Sequence, residues 1–165
     1  MGYRELFLVL TTILIFSLLS ANVNQTMIGA RETLQEIEIA EIGISIAQGF
    51  IEEAKSKKFD ALVGSLAPPD MPGNFTPWSN LGPEAGEAYP NFDDVDDFNG
   101  LNQVLNYRGL DFTVSVAVNY VMDINPDSTV QTQTYFKRMK VSVNSSWMNG
   151  QVELRRVFSY YGSEQ

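Results

Sequence analysis

Cysteine and histidine are both absent from this chain of 165 residues. Without cysteine there is no disulfide and no thiolate metal site. Without histidine the chain lacks the usual general base, the commonest metal ligand and every Ser-His or Cys-His nucleophile pair. No other part of the sequence supplies a nucleophile motif with a companion base, so we expect that the protein is not an enzyme.

Positive charge is also scarce, since Lys and Arg number 11 against 20 Asp and Glu and the net charge is −9. Proteins that bind nucleic acid usually carry a basic patch. We therefore expect no nucleic-acid partner bound through such a patch. An acidic balance of this kind is typical of a soluble, exposed surface.

Proline is absent from residues 1–55, and glycine is sparse there. An apolar run fills residues 6–19, and a longer amphipathic stretch with two apolar faces follows it as far as Lys55. The pattern predicts one helix, ~80 Å long at ~1.5 Å per residue. Each of the two apolar faces must pack against another apolar surface. We expect one to pack against the rest of the chain and the other against neighbouring subunits. A small globular domain does not need so long a helix, and its length indicates assembly.

The apolar run at residues 6–19 has three interpretations. It has the length of the hydrophobic region of a cleaved secretory signal, with Leu19-Ser20-Ala21 as a cleavage site. It is short for an ordinary membrane anchor, because a span needs ~20 apolar residues. The third interpretation is a helix that lies first in a membrane and later in a protein bundle. Glu5 favours the third, because a carboxylate at the head of such a run is costly in lipid and indicates a function.

The order Met1-Gly2-Tyr3-Arg4-Glu5 before an apolar run resembles the mature N-terminus of type IV pilins and of the related type II secretion pseudopilins. In that family a prepilin peptidase cuts after a glycine, the new first residue is N-methylated, and a glutamate stands fifth. The resemblance implies that Met1 is the modified residue and that Glu5 sets the register of assembly. Cleavage after Gly2 is the alternative, and it would place the glutamate two positions earlier.

The same resemblance implies that the apolar helix forms the core of a filament. The side chains that would build this core lie on the run after Glu5: Leu6, Phe7, Leu10, Ile13, Leu14, Phe16 and Leu18.

Proline is concentrated in the middle of the chain, where six of the seven prolines lie between residues 68 and 90. This is turn chemistry, and it predicts an irregular loop over residues 57–110. The sequence has three Asn-x-Ser/Thr sequons, of which Asn74, in the loop, and Asn144, beyond it, are the candidate glycan sites. The third sequon, at Asn24, would be hidden in a helical bundle.

One cluster in this loop is a candidate binding site: the four aspartates in Asp93-Asp94-Val95-Asp96-Asp97. Hard oxygen donors this dense are suited to calcium. The register is not that of an EF-hand loop. The other interpretation is an acidic, solvated turn that caps a short helix around residues 100–105. We expect no cofactor to be required, and calcium to be the ligand if the cluster binds one.

The last third of the chain has the alternation of β-strands. Apolar and polar residues alternate over 112–120, and further strands are predicted over 130–144 and 151–161. The sequence of residues 125–128 predicts a turn. Asn149-Gly150 is a strong hairpin signal. We expect an antiparallel sheet over residues 111–165, with one face covered by the helix.

These patterns predict an α+β fold in which a long N-terminal α-helix packs on a small antiparallel β-sheet head. Residues 1–24 would form the membrane anchor and filament core, residues 25–56 an amphipathic helix on the head, and residues 57–110 the irregular loop.

The resemblance implies a structural subunit of an extracellular helical filament, a homo-oligomer that is membrane-anchored before assembly. Its partners would be a prepilin peptidase and the inner-membrane pilus assembly machinery. Two alternatives stay open: a minor pilin or pseudopilin of a secretion or pilus machine, and a membrane-tethered binding domain that never polymerises.

Overall fold

The computed structural model describes residues 2–62 and 72–162. The predicted modification site, Met1, lies outside the described residues. The chain divides into two compact units, Met1–Ile39 and Ala40–Gln165. The predicted α+β class is confirmed, because one long helix is followed by an antiparallel sheet on which it packs.

The helix α1 runs over Tyr3–Lys55 as a single element, as the absence of proline predicts. Its buried residues are Gly43, Ala47, Phe50 and Ala54, which recur at steps of four, three and four and so share one face. A Cβ placed on Gly43 would lie 3.4 Å from Cγ2 of Val152 on the sheet. Glycine and alanine at these positions therefore let the helix approach the sheet closely.

The predicted packing of the helix on the head from residue 25 onwards stays a prediction for residues 25–39, which belong to the first unit. Residues 25–38 are exposed, and buried helix positions begin only at Gly43. The apolar side chains Met27, Leu34 and Ile37 thus remain at least half exposed in the first unit.

The sheet of the second unit consists of β1 (Asn102–Tyr107), β2 (Leu110–Met122), β3 (Asn125–Thr129), β4 (Phe136–Asn144) and β5 (Gln151–Ser159). Its strand order is β1-β2-β4-β5, with β3 paired to the end of β2. All pairings are antiparallel. The buried face of β2 carries Phe112, Val114, Val116, Val118 and Tyr120, the apolar set of the predicted alternation.

Strand β1 lies in the stretch predicted to be irregular, where a short helix around residues 100–105 was expected, and that prediction is wrong. The strand is mostly exposed and has no apolar alternation to indicate it. Its conformation follows from pairing with β2, in which Asn102 lies opposite Ser115 and Tyr107 opposite Leu110. A two-residue turn, Arg108-Gly109, makes this pairing local.

The predicted turn at residues 125–128 is also wrong, because these residues lie in β3. The chain reverses instead at Asp123-Ile124, and β4 begins at Phe136 rather than at residue 130. All five residues of β3 are exposed. Pro126 fits this position because it lies in a short strand that pairs on one side only.

The Arg108-Gly109 turn allows a direct test of the β1–β2 hairpin. Arg108 has φ 52° and Gly109 has φ 83°, both in the left-handed region. We expect Gly109→Ala to lower the free energy of unfolding by about 1–2 kcal/mol, because a Cβ is strained at this φ. Gly49→Ala in α1 is the matched control, since a helical alanine is favoured by about 1 kcal/mol. Chemical denaturation would measure both, and equal effects would contradict the turn geometry.

Candidate functional site

The predicted acidic cluster is not a solvated turn. Asp94, Asp96 and Asp97 are completely buried, and only Asp93 is exposed. The apolar residues Val95 and Phe98, which alternate with the aspartates, are buried as well. Their burial draws the intervening carboxylates into the protein interior.

Backbone hydrogen bonds fix this segment beside the end of α1. The Lys58 N–H donates to the Asp93 carbonyl at 3.2 Å, and the Val95 N–H donates to the Lys58 carbonyl at 3.0 Å. Two carboxylates cap the turn from within: Asp94 Oδ1 accepts from the Asp96 N–H at 2.7 Å, and Asp97 Oδ2 accepts from the Asp93 and Asp94 N–H groups at 2.9 and 3.0 Å. One carboxylate oxygen of Asp94 and one of Asp97 therefore accept hydrogen bonds from backbone N–H groups.

A fully buried lysine, Lys137 on β4, meets this segment from the sheet. Its ammonium group donates to Asp60 Oδ2 at 2.8 Å, to the Phe59 carbonyl at 2.7 Å and to Asp96 Oδ1. It also lies 4.7 Å from the centre of the Phe59 ring. The three N–H donors of the lysine thus each have an acceptor, and Asp60 and Asp96 share its charge.

Asp60 is the second buried residue that sequence reasoning missed. Its carboxylate accepts hydrogen bonds from the Thr76 N–H at 3.0 Å, the Thr76 hydroxyl at 3.3 Å and the Leu62 N–H at 3.2 Å. The Tyr120 hydroxyl donates to the Thr76 carbonyl at 2.8 Å and lies 3.4 Å from Asp60 Oδ2. Burial, followed by the charge of Asp60, raises the pKa of Tyr120.

Lys137 did carry a signal in the sequence. It precedes Met139, Val141 and Val143 at steps of two, so it falls on the buried face of the strand. A lysine on a buried face requires a carboxylate partner. The strand pattern could have indicated the lysine, but not which aspartates it meets, because Asp60 lies 77 positions away in the chain.

Two glutamates that sequence reasoning did not select complete the acidic surroundings. The Glu87 N–H donates to the Glu84 carbonyl at 3.0 Å, which forms a tight turn. Asn99 fixes Leu81, three residues before Glu84, to the sheet. Its side chain donates to the Leu81 carbonyl at 2.9 Å and accepts from the Val118 N–H of β2 at 2.9 Å. In this arrangement oxygens of Glu84, Glu87 and Asp97 lie within 4.8 Å of one another.

The charges of this region do not balance among the described residues. The completely buried aspartates are Asp60, Asp94, Asp96 and Asp97, and Lys137 is the buried cation that faces them. Burial, and then the charge of Asp96, raises the pKa of Asp94 to about 9. Burial, and then the proximity of Glu87 and Asp97, raises the pKa of Glu84 to about 7. One buried cation therefore faces four buried aspartates, and Lys137 offsets only part of the rise in the pKa of Asp94.

The predicted filament-core residues lie on α1 within the first unit. Each of the seven side chains named for this core is more than half exposed. The helix is long and apolar enough to cross a membrane by length and composition, with a mean hydropathy of 2.3 over its most apolar window. The hydroxyls of Thr11 and Thr12 donate to the carbonyls of Phe7 and Leu8 at 2.8 and 2.6 Å, so they are satisfied within the helix.

Glu5 lies in the first turn of α1, where a carboxylate suits the helix dipole. Within the described ranges it makes no ion pair. The two predicted glycan sites, Asn74 and Asn144, are both exposed, and Asn144 ends β4. Glycosylation at these positions stays a prediction.

Comparison of the chain with protein-family models, with curated proteins and with solved structures finds no match.

Proposed function

We propose that this protein is a structural subunit of an extracellular helical filament of the type IV pilus kind, and that it assembles through the N-terminal part of α1. The observation that carries the proposal is the uncovered apolar surface of that helix. The seven core side chains listed above are all exposed over four turns, with no charged residue after Glu5 in the run.

An apolar surface of this extent is unfavourable in water. Burial of a large apolar side chain stabilises by about 1.5–3 kcal/mol, so covering these seven would contribute on the order of 10 kcal/mol. A membrane supplies the cover before assembly, and a bundle of equivalent helices supplies it in the filament. Both covers are compatible with threonine hydroxyls that are satisfied inside the helix.

The second unit fits the role of the surface domain of such a subunit. It has its own buried core in the sheet and in the aromatic cluster of Phe59, Phe75, Tyr120 and Tyr160. Processing by a prepilin peptidase and export by an inner-membrane assembly machinery belong to the same proposal. A membrane-tethered domain that never polymerises is the competing function, because the helix also has the length and composition of a single span.

Removal of residues 1–24 tests the role of the helix. We expect the truncated protein to be a soluble monomer, because the residues that would form the filament core are gone. Size-exclusion chromatography with light scattering would measure its mass, and electron microscopy would detect fibres.

The control is the full chain expressed in the same cells. Filaments sheared from those cells should contain this chain, and mass spectrometry should find its mature N-terminal peptide N-methylated. Fibres from the truncated protein would contradict the helical-core proposal. Full-length protein found only in membranes, with no filaments, would favour the tethered domain.

A further inference from the structure

The strongest unexplained feature outside the apolar helix is the lysine in the core of the second unit. The side chains of Lys137, Asp60 and Asp96 are all completely buried, and the ammonium group contacts a carboxylate oxygen of each aspartate. As an ion pair this arrangement gains little stability, because the loss of hydration rivals the attraction of the charges. An amine held against a carboxyl group can instead be stabilised by a covalent bond.

Apolar side chains keep water away from the lysine. Lys137 Nζ lies 4.7 Å from the centre of the Phe59 ring and 5.5 Å from the centre of the Tyr120 ring. Both rings are fully buried, and so is Val95, the neighbour of Asp96 in the chain. Burial disfavours charged groups relative to the neutral amine and the neutral carboxylic acid. The neutral forms are the ones that react to give an amide.

The two aspartates have different surroundings. Asp60 accepts hydrogen bonds from the Thr76 N–H at 3.0 Å and from its hydroxyl at 3.3 Å, which fix the carboxylate 2.8 Å from Lys137 Nζ. Asp96 is joined to Asp94 by a side-chain hydrogen bond, and burial raises the pKa of both carboxyl groups. Asp60 is thus placed to accept a proton, and Asp96 has a second carboxyl group beside it that can donate a hydrogen bond.

We propose that Lys137 and Asp96 form an amide bond between their side chains, with Asp60 as the catalytic base. The bond formed joins Nζ of Lys137 to Cγ of Asp96, and the bond broken is a C–O bond of the Asp96 carboxyl group. Two of the three ammonium protons leave with that oxygen as water. Nothing is oxidised or reduced, and the buried ion pair becomes a neutral amide.

Each proton transfer in this reaction has a group within reach. Asp60 takes one proton from the ammonium, which leaves an amine that attacks Cγ of Asp96. Asp60 then carries this proton and a second one from the nitrogen to the departing oxygen, and it ends as the carboxylate it was. Asp94 has a pKa of about 9, so it is protonated at neutral pH. Its hydrogen bond to Asp96 stabilises the negative charge on the carboxyl group during the attack.

The folded chain holds the two reactants in contact. Lys137 lies on β4, which is paired on both sides, with β2 and with β5. Asp96 lies in a tight turn, in which the Asn99 N–H donates to the Asp96 carbonyl at 2.8 Å. Well-oriented groups within one molecule react as though present at effective concentrations on the order of 10⁵–10⁸ M. Because the site is enclosed by buried side chains, water does not readily return to hydrolyse the bond.

The bond would connect the end of the irregular loop to the middle of the sheet. Asp96 and Lys137 are 41 positions apart, and β1, β2 and β3 lie between them in the chain. Substitution of Lys137 would then remove a covalent link as well as an ion pair. The inference does not depend on the proposed filament, because it concerns the second unit alone.

Tryptic digestion of the full chain, purified in detergent and denatured in urea, tests the bond. Urea separates an ion pair but leaves an amide intact. An unmodified chain gives separate peptides of residues 59–108 and 109–137, because trypsin cuts after lysine and arginine. We expect instead residues 59–108 joined to residues 109–138, since trypsin does not cut after an acylated lysine. Mass spectrometry should find this species lighter than its two parts by one water, with the bond at Asp96.

Asp60→Asn removes the base and keeps the size of the side chain. We expect the joined fraction in freshly purified protein to fall at least about tenfold, because a positioned base accelerates proton transfer by about 10²–10⁴-fold. Asp93→Asn is the matched control, since it removes the same charge from the acidic segment at an exposed position and should react as the wild type does.

The wild-type digest decides the proposal even if a variant does not fold. Separate peptides with an unmodified Lys137, obtained from folded wild-type protein, would overturn it. A bond from Lys137 to Asp60 would overturn the roles given to the two aspartates. Equal joined fractions in Asp60→Asn and Asp93→Asn would show that Asp60 is not the base.

Discussion

Replacing Lys137 by methionine should lower the free energy of unfolding by about 3–5 kcal/mol. Methionine fills a similar volume, so the loss is not that of a cavity. The loss arises because Asp60 and Asp96 are completely buried and would have no cation. A buried carboxylate without its partner either keeps an unfavourable charge or takes up a proton, and both destabilise the fold.

Urea denaturation of the full chain in detergent, followed by tryptophan fluorescence, would measure this loss. Lys140→Met is the matched control on the same strand, because Lys140 is partly exposed and lies 3.5 Å from Glu153. Its effect should stay within about 0.5 kcal/mol. Equal effects of the two substitutions would contradict the buried ion-pair network.

A second comparison separates charge from packing. The triple variant Lys137→Met/Asp60→Asn/Asp96→Asn removes the lysine together with the two aspartates that pair with it. It should recover part of the stability lost in Lys137→Met, because the penalty of the single variant is the uncompensated charge. A triple variant that is less stable than the single one would indicate that the hydrogen bonds of the carboxylates matter more than their charge.

Glu5→Gln should leave few or no filaments while membrane insertion and peptidase processing remain normal. Within the proposed filament, the Glu5 carboxylate pairs with the methylated ammonium group of Met1 in a neighbouring subunit. Each charge alone would cost several kcal/mol in an apolar bundle, and pairing removes most of that cost and sets the axial register. Arg4 does not take the place of that partner, because adjacent side chains of a helix point apart.

Filaments sheared from cells and counted by electron microscopy would measure the effect. The competing hypothesis is that Glu5 and Arg4 only reach the headgroup region of a membrane. It predicts a normal number of filaments from the glutamine variant. Glu52→Gln is the control with the same charge change, since Glu52 pairs with Lys55 at the exposed end of α1. Abundant, ordered filaments from Glu5→Gln would remove Glu5 from the assembly mechanism.

The acidic cluster shows how far residue types alone could be interpreted. The density of aspartates at residues 93–97 pointed to a candidate calcium site, and calcium binding there stays a prediction. It did not indicate that Asp96 pairs with Lys137 or that Glu84 approaches Asp97. Those partners are distant in the chain, and their positions depend on how the loop packs against the sheet.

The sequence by itself determined the helix and the main strands. The lack of proline before residue 68 and the apolar periodicity predict a helix that ends at Lys55, because both act through local backbone geometry. The alternation over residues 112–120 likewise predicts β2, since it reports one buried face. The α+β class follows from these local patterns.

Only the tertiary structure decided where along α1 the side chains become buried and which polar side chains contact one another. Strands β1 and β3 exist through pairing with β2, and their own exposed residues carry no alternation. The first buried helix position, Gly43, lies inside the second unit, where the helix packs on the sheet of that same unit. The burial of Lys137 with Asp60 and Asp96 depends on three segments meeting in the core. Such long-range contacts are specified by the packing of the whole domain, which no local pattern records.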